Sequence, residues 1–186
     1  DSYFVGQNYI DNFVNQPFKF VKIDDFNELS LDELDLVINF CICAHEYLYK
    51  AKEACLGVSF FPARKELKAI RLKNELGLKE QICSSVVFIG GEDRFNVGKE
   101  VVRVLDQLFS NIHINLITAN VSEKKTVSSI RNHIAFSPIN IEIEKSMKGA
   151  DVAITGGGLF KYECAYCCIP NASLSQTIEQ HEETQS

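Results

Sequence analysis

The sequence predicts an α/β fold in which helices cover both faces of parallel β-sheets. Short runs rich in Val, Ile and Phe alternate with segments whose apolar residues recur at helical spacing, and this alternation is typical of doubly wound α/β proteins. Many of the strand-like runs are continuously apolar, as expected for strands that are buried on both faces. The chain has 186 residues, of which 46% are hydrophobic, so it can form one core of moderate size or two small ones.

The elements are predicted from these runs in chain order. The predicted strands are residues 3–5, 18–23, 34–40, 57–60, 85–91, 113–118, 139–143, 151–155 and 171–175. The predicted helices are residues 97–109, 123–134, 143–150 and 159–168. The charge-rich stretch 178–185 is interpreted as a solvated face.

A domain boundary is predicted at a charged, amphipathic segment, which is interpreted as a linker helix over residues 63–83. Residues 1–62 contain about four predicted strands without a full set of helices, and they are interpreted as part of an α/β domain. Residues 84–186 contain five predicted strands in regular succession and predict one complete domain. Because the chain begins at Asp1 within a strand-like run, it is interpreted as a fragment of a longer protein.

Charge and cysteine content restrict the partners and the compartment. The net charge of −6 and the lack of a Lys/Arg cluster argue against nucleic acid and anionic membranes, because both need a basic surface. No apolar run reaches the roughly 20 residues of a membrane span. Seven cysteines without a regular framework favour a reducing cytoplasm. No cofactor or metal site is predicted, and the Cys164-x-x-Cys167 pair is interpreted as small residues on a packed helix face.

Two glycine loops are the main indication of a ligand site. Each follows a predicted strand and precedes a predicted helix: Gly90 and Gly91, with Asn96 as the expected N-cap, and then Gly156, Gly157 and Gly158. Glycine lets a ligand approach the backbone, and a helix N-terminus attracts phosphate. Two such loops at the carboxyl ends of parallel strands predict one crevice for a phosphate or diphosphate. Simple tight turns are the alternative, since neither loop carries a dinucleotide or P-loop motif.

A carboxylate follows the second loop. Glu163 lies five residues beyond Gly158, in the first turns of the predicted helix. A carboxylate in this position can accept two hydrogen bonds from the vicinal hydroxyls of a ribose. The alternative is that it only complements the helix dipole.

Motifs along most of the chain resemble, in order, those of a known family. They are DSYFVGQNYI, FVKIDDFNE, DELDLVINFCICA, CLGVSFFPARKEL, VFIGGEDRFN and ADVAITGGGLFKYECAYCCIPNASLSQTIEQHE. The chain resembles the UDP-sugar hydrolases of pseudaminic acid biosynthesis and their spore-coat polysaccharide relatives, which are glycosyltransferase-like proteins. The resemblance implies Rossmann-like parallel sheets of GT-B type, with one complete nucleotide-binding domain preceded by part of another.

The resemblance also implies a function. The chain would be the nucleotide-sugar-binding part of an enzyme that releases UDP from a UDP-linked acetamido-trideoxy sugar, in the biosynthesis of bacterial surface polysaccharide or flagellar glycan. The nucleotide-binding residues that it implies are Gly90, Gly91, Asp93 and Asn96 in the first loop, Gly156, Gly157, Gly158, Leu159 and Phe160 in the second, Glu163 at the ribose, and Gln176 or Gln180 after the last strand.

Two departures from the family pattern bear on activity. Leu159 and Phe160 stand where the family has a hydroxyl residue, so a side-chain donor to phosphate is missing. The family's catalytic histidine lies in a glycine- and histidine-containing motif that this chain lacks. His45 fits no catalytic position of the family, and His181 lies beyond the last predicted strand and is interpreted as solvent-exposed. No catalytic residue is therefore assigned, and the chain alone is predicted to be inactive.

Two other functions remain open at the level of sequence. The donor-binding domain of a UDP-sugar glycosyltransferase would use the same crevice, and the groups that separate transfer from hydrolysis are not identified. A non-catalytic binding domain of the same fold is favoured by Leu159 and Phe160.

Overall fold

The computed structural model describes residues 6–13, 16–24, 34–74, 77, 80–91, 93, 95–119, 129–139 and 142–185. The chain divides into two compact units, Asp1–Pro62 with Gln185–Ser186, and Ala63–Thr184. The elements of the first unit are helix α1 (Gln7–Asp11) and strands β1 (Val21–Ile23), β2 (Leu34–Asn39) and β3 (Ala51–Leu56).

The second unit carries most of the regular structure. Its elements are α2 (Lys68–Asn74), β4 (Ser84–Phe88), α3 (Val97–Leu108), β5 (His113–Thr118), β6 (His133–Pro138), α4 (Ile143–Met147), β7 (Val152–Gly156), α5 (Phe160–Tyr166), β8 (Asn171–Leu174) and α6 (Ile178–Gln185).

Each unit contains one sheet in which all described pairings are parallel. The first sheet has three strands in the order β1-β2-β3, and the second has five in the order β6-β5-β4-β7-β8. In the second sheet, Val86 of the central strand β4 lies opposite Asn115 of β5 and Ala153 of β7. The predicted α/β architecture with parallel sheets is confirmed, and the second unit is Rossmann-like in its general arrangement.

The second sheet is buried on both faces, as its apolar strands predict. On one face, Val86 and Ala153 belong to a buried cluster with Ile143 of α4 and Phe160 and Cys164 of α5. On the opposite face, Val87 and Ile114 belong to a second cluster with Val102 of α3. Neighbouring residues of β4 therefore serve two cores, which requires a continuous apolar run rather than an alternating one.

Several predicted elements differ from those observed. The strand of this region is Ala51–Leu56 rather than residues 57–60, where Gly57 has φ of 94° and a 3₁₀ turn follows over Val58–Phe60. The described part of the predicted helix 123–134 contains no helix, and β6 begins at His133. The predicted strand 139–143 is also wrong where it is described, because Ile143 begins α4. The predicted strand 3–5 lies outside the described residues.

Two segments near the ends of the second unit complete its description. Within the predicted linker 63–83, a 3₁₀ turn over Lys65–Leu67 leads into α2, and Leu67 and Ile70 join the first core cluster of that unit. The stretch predicted to be a solvated face forms α6, in which Glu183 is buried. Within the described ranges, no helix combines the length and apolar character that crossing a bilayer requires.

Candidate functional site

The candidate site lies where the strand order of the second sheet reverses. The chain passes from β4 outward to β5 and β6, and then returns to the other side of β4 as β7 and β8. In open parallel sheets, ligands bind outside the carboxyl ends of the strands at such a point. Here β4 is followed by Gly90 and Gly91, and β7 ends at Gly156, the first residue of the second glycine loop. The two loops therefore meet at one edge of the sheet.

A cavity of about 350 Å³ lies between the two loops. This volume is near the lower end of the range of about 300–1,000 Å³ that small-molecule sites occupy. Its lining combines glycine backbone, apolar side chains and one pair of opposite charges. The lining residues are Arg64, Phe88, Ile89, Gly90, Gly91, Ile139, Ile143, Gly156, Gly158, Leu159, Phe160 and Glu163.

One glycine of the second loop is required by the fold itself. A Cβ atom at Gly156 would lie 1.9 Å from the carbonyl oxygen of Ile89, which directly follows β4, and backbone atoms there cannot move far enough to make room. Gly156 thus permits the carboxyl ends of β4 and β7 to approach each other closely. Its role is explained by packing without any ligand.

Two other glycines have no such explanation. Gly91 and Gly158 line the cavity, and a Cβ atom at either would meet no described atom within 4 Å. Neither has the positive φ that favours glycine, whereas Gly90 has φ of 133°. Gly91 and Gly158 therefore leave open space beside the backbone in each of the two loops that line the cavity.

The two predicted glutamines lie against the glycine loops. The side-chain amide of Gln176 donates a hydrogen bond to the carbonyl of Ile89 at 2.6 Å. Gln180 accepts a hydrogen bond from the backbone N–H of Gln176 at 2.9 Å, and its side chain fills the space beside Gly157. The segment after β8 thus contacts both loops, although neither glutamine lines the cavity.

Buried side chains hold α6 in this position. The Glu183 carboxylate pairs with the ammonium group of Lys161 at 2.8 Å and accepts a hydrogen bond from the hydroxyl of Tyr162. All three side chains have little exposure to solvent. Because Lys161 and Tyr162 belong to α5, this network ties α6 to the helix that follows the second glycine loop.

The first loop differs from its prediction at the start of α3. Asn96 occupies the N-cap position but has a left-handed backbone with φ of 54° and makes no capping hydrogen bond through its side chain. Asp93 performs the capping instead, accepting hydrogen bonds from the backbone N–H groups of Val97 and Gly98, each at 2.8 Å. The N-terminus of α3 is therefore already occupied by a protein carboxylate. Neither Asp93 nor Asn96 lines the cavity.

Glu163 faces the cavity and forms an ion pair with a residue that the sequence did not single out. Its Oε1 lies 2.7 Å from Nε of Arg64, and the side chain of Glu163 is only 6% exposed while that of Arg64 is 57% exposed. Burial raises the pKa of Glu163, and the positive charge of Arg64 opposes that rise. Arg64 lies within the motif CLGVSFFPARKEL, but the sequence assigned it no role, because it is also one of several basic residues in an amphipathic segment.

The two residues after the glycines contribute apolar surface. Leu159 lines the cavity with 58% of its surface exposed. Phe160 is buried and packs edge-on against Phe88, with ring centroids 5.3 Å apart. Ile139 and Ile143 extend the apolar lining, and the sequence assigned both to a strand rather than to the site.

The CxxC pair belongs to α5 and its C-terminal end, and neither cysteine lines the cavity. Cys164 and Cys167 are both buried in the first core cluster of the second unit. Burial raises the pKa of the Cys167 thiol to about 12 and raises that of Cys164 as well. Both thiols are therefore protonated at neutral pH, which suits packing rather than redox chemistry. Within the described ranges, no three His, Cys, Asp or Glu side chains come together as metal ligands.

Comparison with known proteins gives no independent indication of the function of this site. No protein-family model matches the chain, and no curated protein matches it.

Proposed function

We propose that the second unit binds the nucleotide part of a UDP-linked acetamido sugar. The observation that carries the proposal is the pair Gly91 and Gly158, which leave open space beside the backbone in both loops of one cavity where no described neighbour requires glycine. A cavity at the point where the strand order reverses is where open parallel sheets bind nucleotides. The choice of UDP as the nucleotide comes from the sequence resemblance. We propose on the same ground that the architecture is of GT-B type.

In this proposal the ligand lies across both loops. The diphosphate would approach the backbone at Gly91 and Gly158, because a residue without Cβ lets phosphate oxygens come close to the backbone there. Glu163 would accept hydrogen bonds from the ribose hydroxyls, since its carboxylate faces the cavity. Among the described residues, Arg64 pairs with this carboxylate, and it does so at Oε1. Gln176 and Gln180 would hold the loops in shape rather than contact the ligand.

The reaction proposed for the whole enzyme is hydrolysis of the bond between UDP and the sugar. Donors directed at the diphosphate would stabilise the negative charge on the departing UDP. No histidine is among the described residues that line the cavity, so no general base is assigned. The part of the reaction that we assign to this chain is therefore the binding of the nucleotide. Transfer of the sugar to an acceptor would use the same binding step.

A second candidate is a non-catalytic nucleotide-sugar-binding domain. It is favoured by Leu159, which places an exposed apolar side chain at the cavity where the resembling family carries a hydroxyl. Such a domain would bind UDP-sugar and leave it unchanged.

Calorimetric titration of the chain with UDP tests the proposal, with ADP and CMP as controls for the base. Gly91→Ala and Gly158→Ala are expected to remain folded and to weaken UDP binding at least about tenfold, because each adds a methyl group where phosphate would lie. Gly6→Ala is the matched control, since Gly6 also lacks close neighbours and a positive φ but lies outside the cavity.

The outcomes separate the possibilities. UDP binding that is lost in both cavity variants and kept in Gly6→Ala supports the proposal. Unchanged UDP affinity in folded Gly91→Ala and Gly158→Ala would place any binding elsewhere. Incubation with UDP-linked acetamido sugars then distinguishes the two candidates, because hydrolysis releases free UDP and simple binding does not.

A further inference from the structure

A diphosphate in this cavity needs positive charge and hydrogen-bond donors, and the structure restricts where they come from. The N-terminal N–H groups of α3 at Val97 and Gly98 already donate to Asp93. Leu159 and Phe160, directly after the glycines, have no side-chain donor. Among the described residues that line the cavity, Arg64 is the only one with a basic side chain.

The geometry of Arg64 suits it to bind an anion. Its Nε is engaged with Oε1 of Glu163 at 2.7 Å, and a guanidinium group has five N–H donors in a planar fork. The remaining donors on the two terminal nitrogens make no hydrogen bond to any described residue, and the side chain is 57% exposed. One edge of the fork is therefore held by the protein while the other stays available at the cavity.

The ion pair with Glu163 holds the guanidinium group of Arg64 in place. The carboxylate is almost completely buried, and a carboxylate in that setting strongly favours a cationic partner. The ion pair thereby limits the rotation of the Arg64 side chain before any ligand arrives. A side chain that is already ordered loses less conformational entropy on binding.

We propose that Arg64 is the residue that binds the anionic group of the ligand, and that Glu163 orients the guanidinium group of Arg64 in addition to making the ribose contact of the proposed function. This assignment rests on the proposed function insofar as the anion is the diphosphate of a nucleotide. It adds a specificity rule to that function: an anionic ligand gains affinity through Arg64, and a neutral nucleoside does not.

The experiment is a calorimetric titration of the chain with three probes: UDP, uridine and inorganic diphosphate. The variants are Arg64→Gln, Arg64→Lys, Glu163→Gln and the double variant Arg64→Gln/Glu163→Gln, which leaves no buried charge without its partner. Circular dichroism and the thermal midpoint establish that each variant is folded.

Arg64→Gln is expected to weaken UDP and diphosphate binding by about tenfold or more, in line with the loss of a charge-assisted hydrogen bond, and to weaken uridine binding much less. Arg64→Lys is expected to restore only part of the affinity, because an ammonium group lacks the planar fork. Glu163→Gln is expected to weaken diphosphate binding in the wild-type background but not in the Arg64→Gln background.

Three results would overturn the proposal. They are an equal loss of uridine and UDP affinity in Arg64→Gln, no loss for either probe, or additive effects of the two substitutions on diphosphate binding. The proposed function fails in a different way, namely if the wild-type chain binds neither UDP nor uridine. Diphosphate binding that depends on Arg64 would then still support an anion site.

Discussion

Gly156 and Gly158 lie two positions apart in the sequence but have different surroundings. A Cβ atom at Gly156 would overlap the backbone of Ile89, whereas one at Gly158 would enter open space. We expect Gly156→Ala to lower the free energy of unfolding by about 1–3 kcal/mol or more, as overpacking does, and Gly158→Ala to leave it nearly unchanged. Urea unfolding of both variants measures the difference, and equal midpoints would contradict the assignment of Gly156 to packing.

The start of α3 provides a second test at the residue scale. Asp93 accepts hydrogen bonds from two N–H groups of the first turn, so Asp93→Ala is expected to cost about 1 kcal/mol of stability, as for other lost caps. Asn96 has a left-handed backbone and no capping hydrogen bond, and Asn96→Gly is expected to leave stability unchanged or slightly higher. Chemical denaturation of both variants checks this, and the reverse order of stabilities would restore Asn96 as the cap.

At the scale of elements, the apolar pattern predicted the central strands β4, β5 and β7 and the edge strand β8 well, but it missed the edge strand β6. Strands β4, β5 and β7 are rich in Val and Ile and lie at the centre of the sheet, where both faces need apolar residues. The edge strand β6 contains His, Ser and Pro, and only intermediate or exposed positions. A strand that is covered less completely can be less apolar, so its sequence resembles that of a polar segment.

The strand β3 was missed for a related reason. Its sequence AKEACL combines good helix formers with three exposed positions in a row, and its pairing with β2 determines the conformation. Tertiary contacts therefore decide the conformation of β3 where local preference does not.

A pair of stacked histidines on β5 and β6 is expected to make the stability of the fold depend on pH. The rings of His113 and His133 stack with centroids 4.8 Å apart, and burial together with the nearby His133 lowers the pKa of His113 below its ordinary value of 6.5. As the pH falls below 6.5, the unfolded chain therefore takes up a proton at His113 before the folded chain does. The free energy of unfolding decreases over this interval. The decrease ends at the lower pH at which His113 is protonated in the folded state as well.

This dependence is measured by urea unfolding between about pH 5 and pH 8. His113→Gln is expected to reduce the loss of stability below pH 6.5, the ordinary pKa of histidine. Parallel curves for the wild type and the variant over this interval would show that His113 makes no contribution.

The last helix supplies a further prediction at this scale. Glu183 is the buried acceptor for Lys161 and Tyr162 of α5, and its replacement by alanine leaves a nearly buried ammonium group without its partner. We expect Glu183→Ala to increase amide hydrogen exchange in α6 while α3, on the opposite face of the sheet, keeps its protection. Mass spectrometry of exchanged peptides measures this, and unchanged exchange in α6 would mean that other contacts hold the helix.

At the scale of the whole molecule, the second unit contains both of the larger buried clusters. All their members lie within residues 63–184. We expect residues 63–186 produced alone to fold with the same helix and strand content, because every described member of these two clusters lies within this unit. Circular dichroism and the dispersion of amide resonances test this, and a collapsed, undispersed spectrum would contradict it.

The site was predictable where it depends on local chain chemistry and unpredictable where it depends on distant contacts. The glycine runs at the ends of apolar strands line the cavity in the structure, since strand, loop and helix follow one another in sequence. The partner of Glu163 was not identifiable, because Arg64 lies 99 positions earlier and only folding brings them together. The capping by Asp93 rather than Asn96 depends on backbone geometry that residue type alone does not determine.

The reversal of strand order has a consequence for how a ligand affects the protein. Arg64 and Gly91 precede β5 in the chain, whereas Gly158 and Glu163 follow β6. A molecule in contact with all four would act as a noncovalent cross-link between the early and late halves of this unit. At a concentration 100 times its Kd such a ligand adds about 2.7 kcal/mol to the stability of the fold. Two polypeptides made by cutting the chain between β5 and β6 should therefore assemble more completely as the ligand concentration rises, and their association would report binding directly.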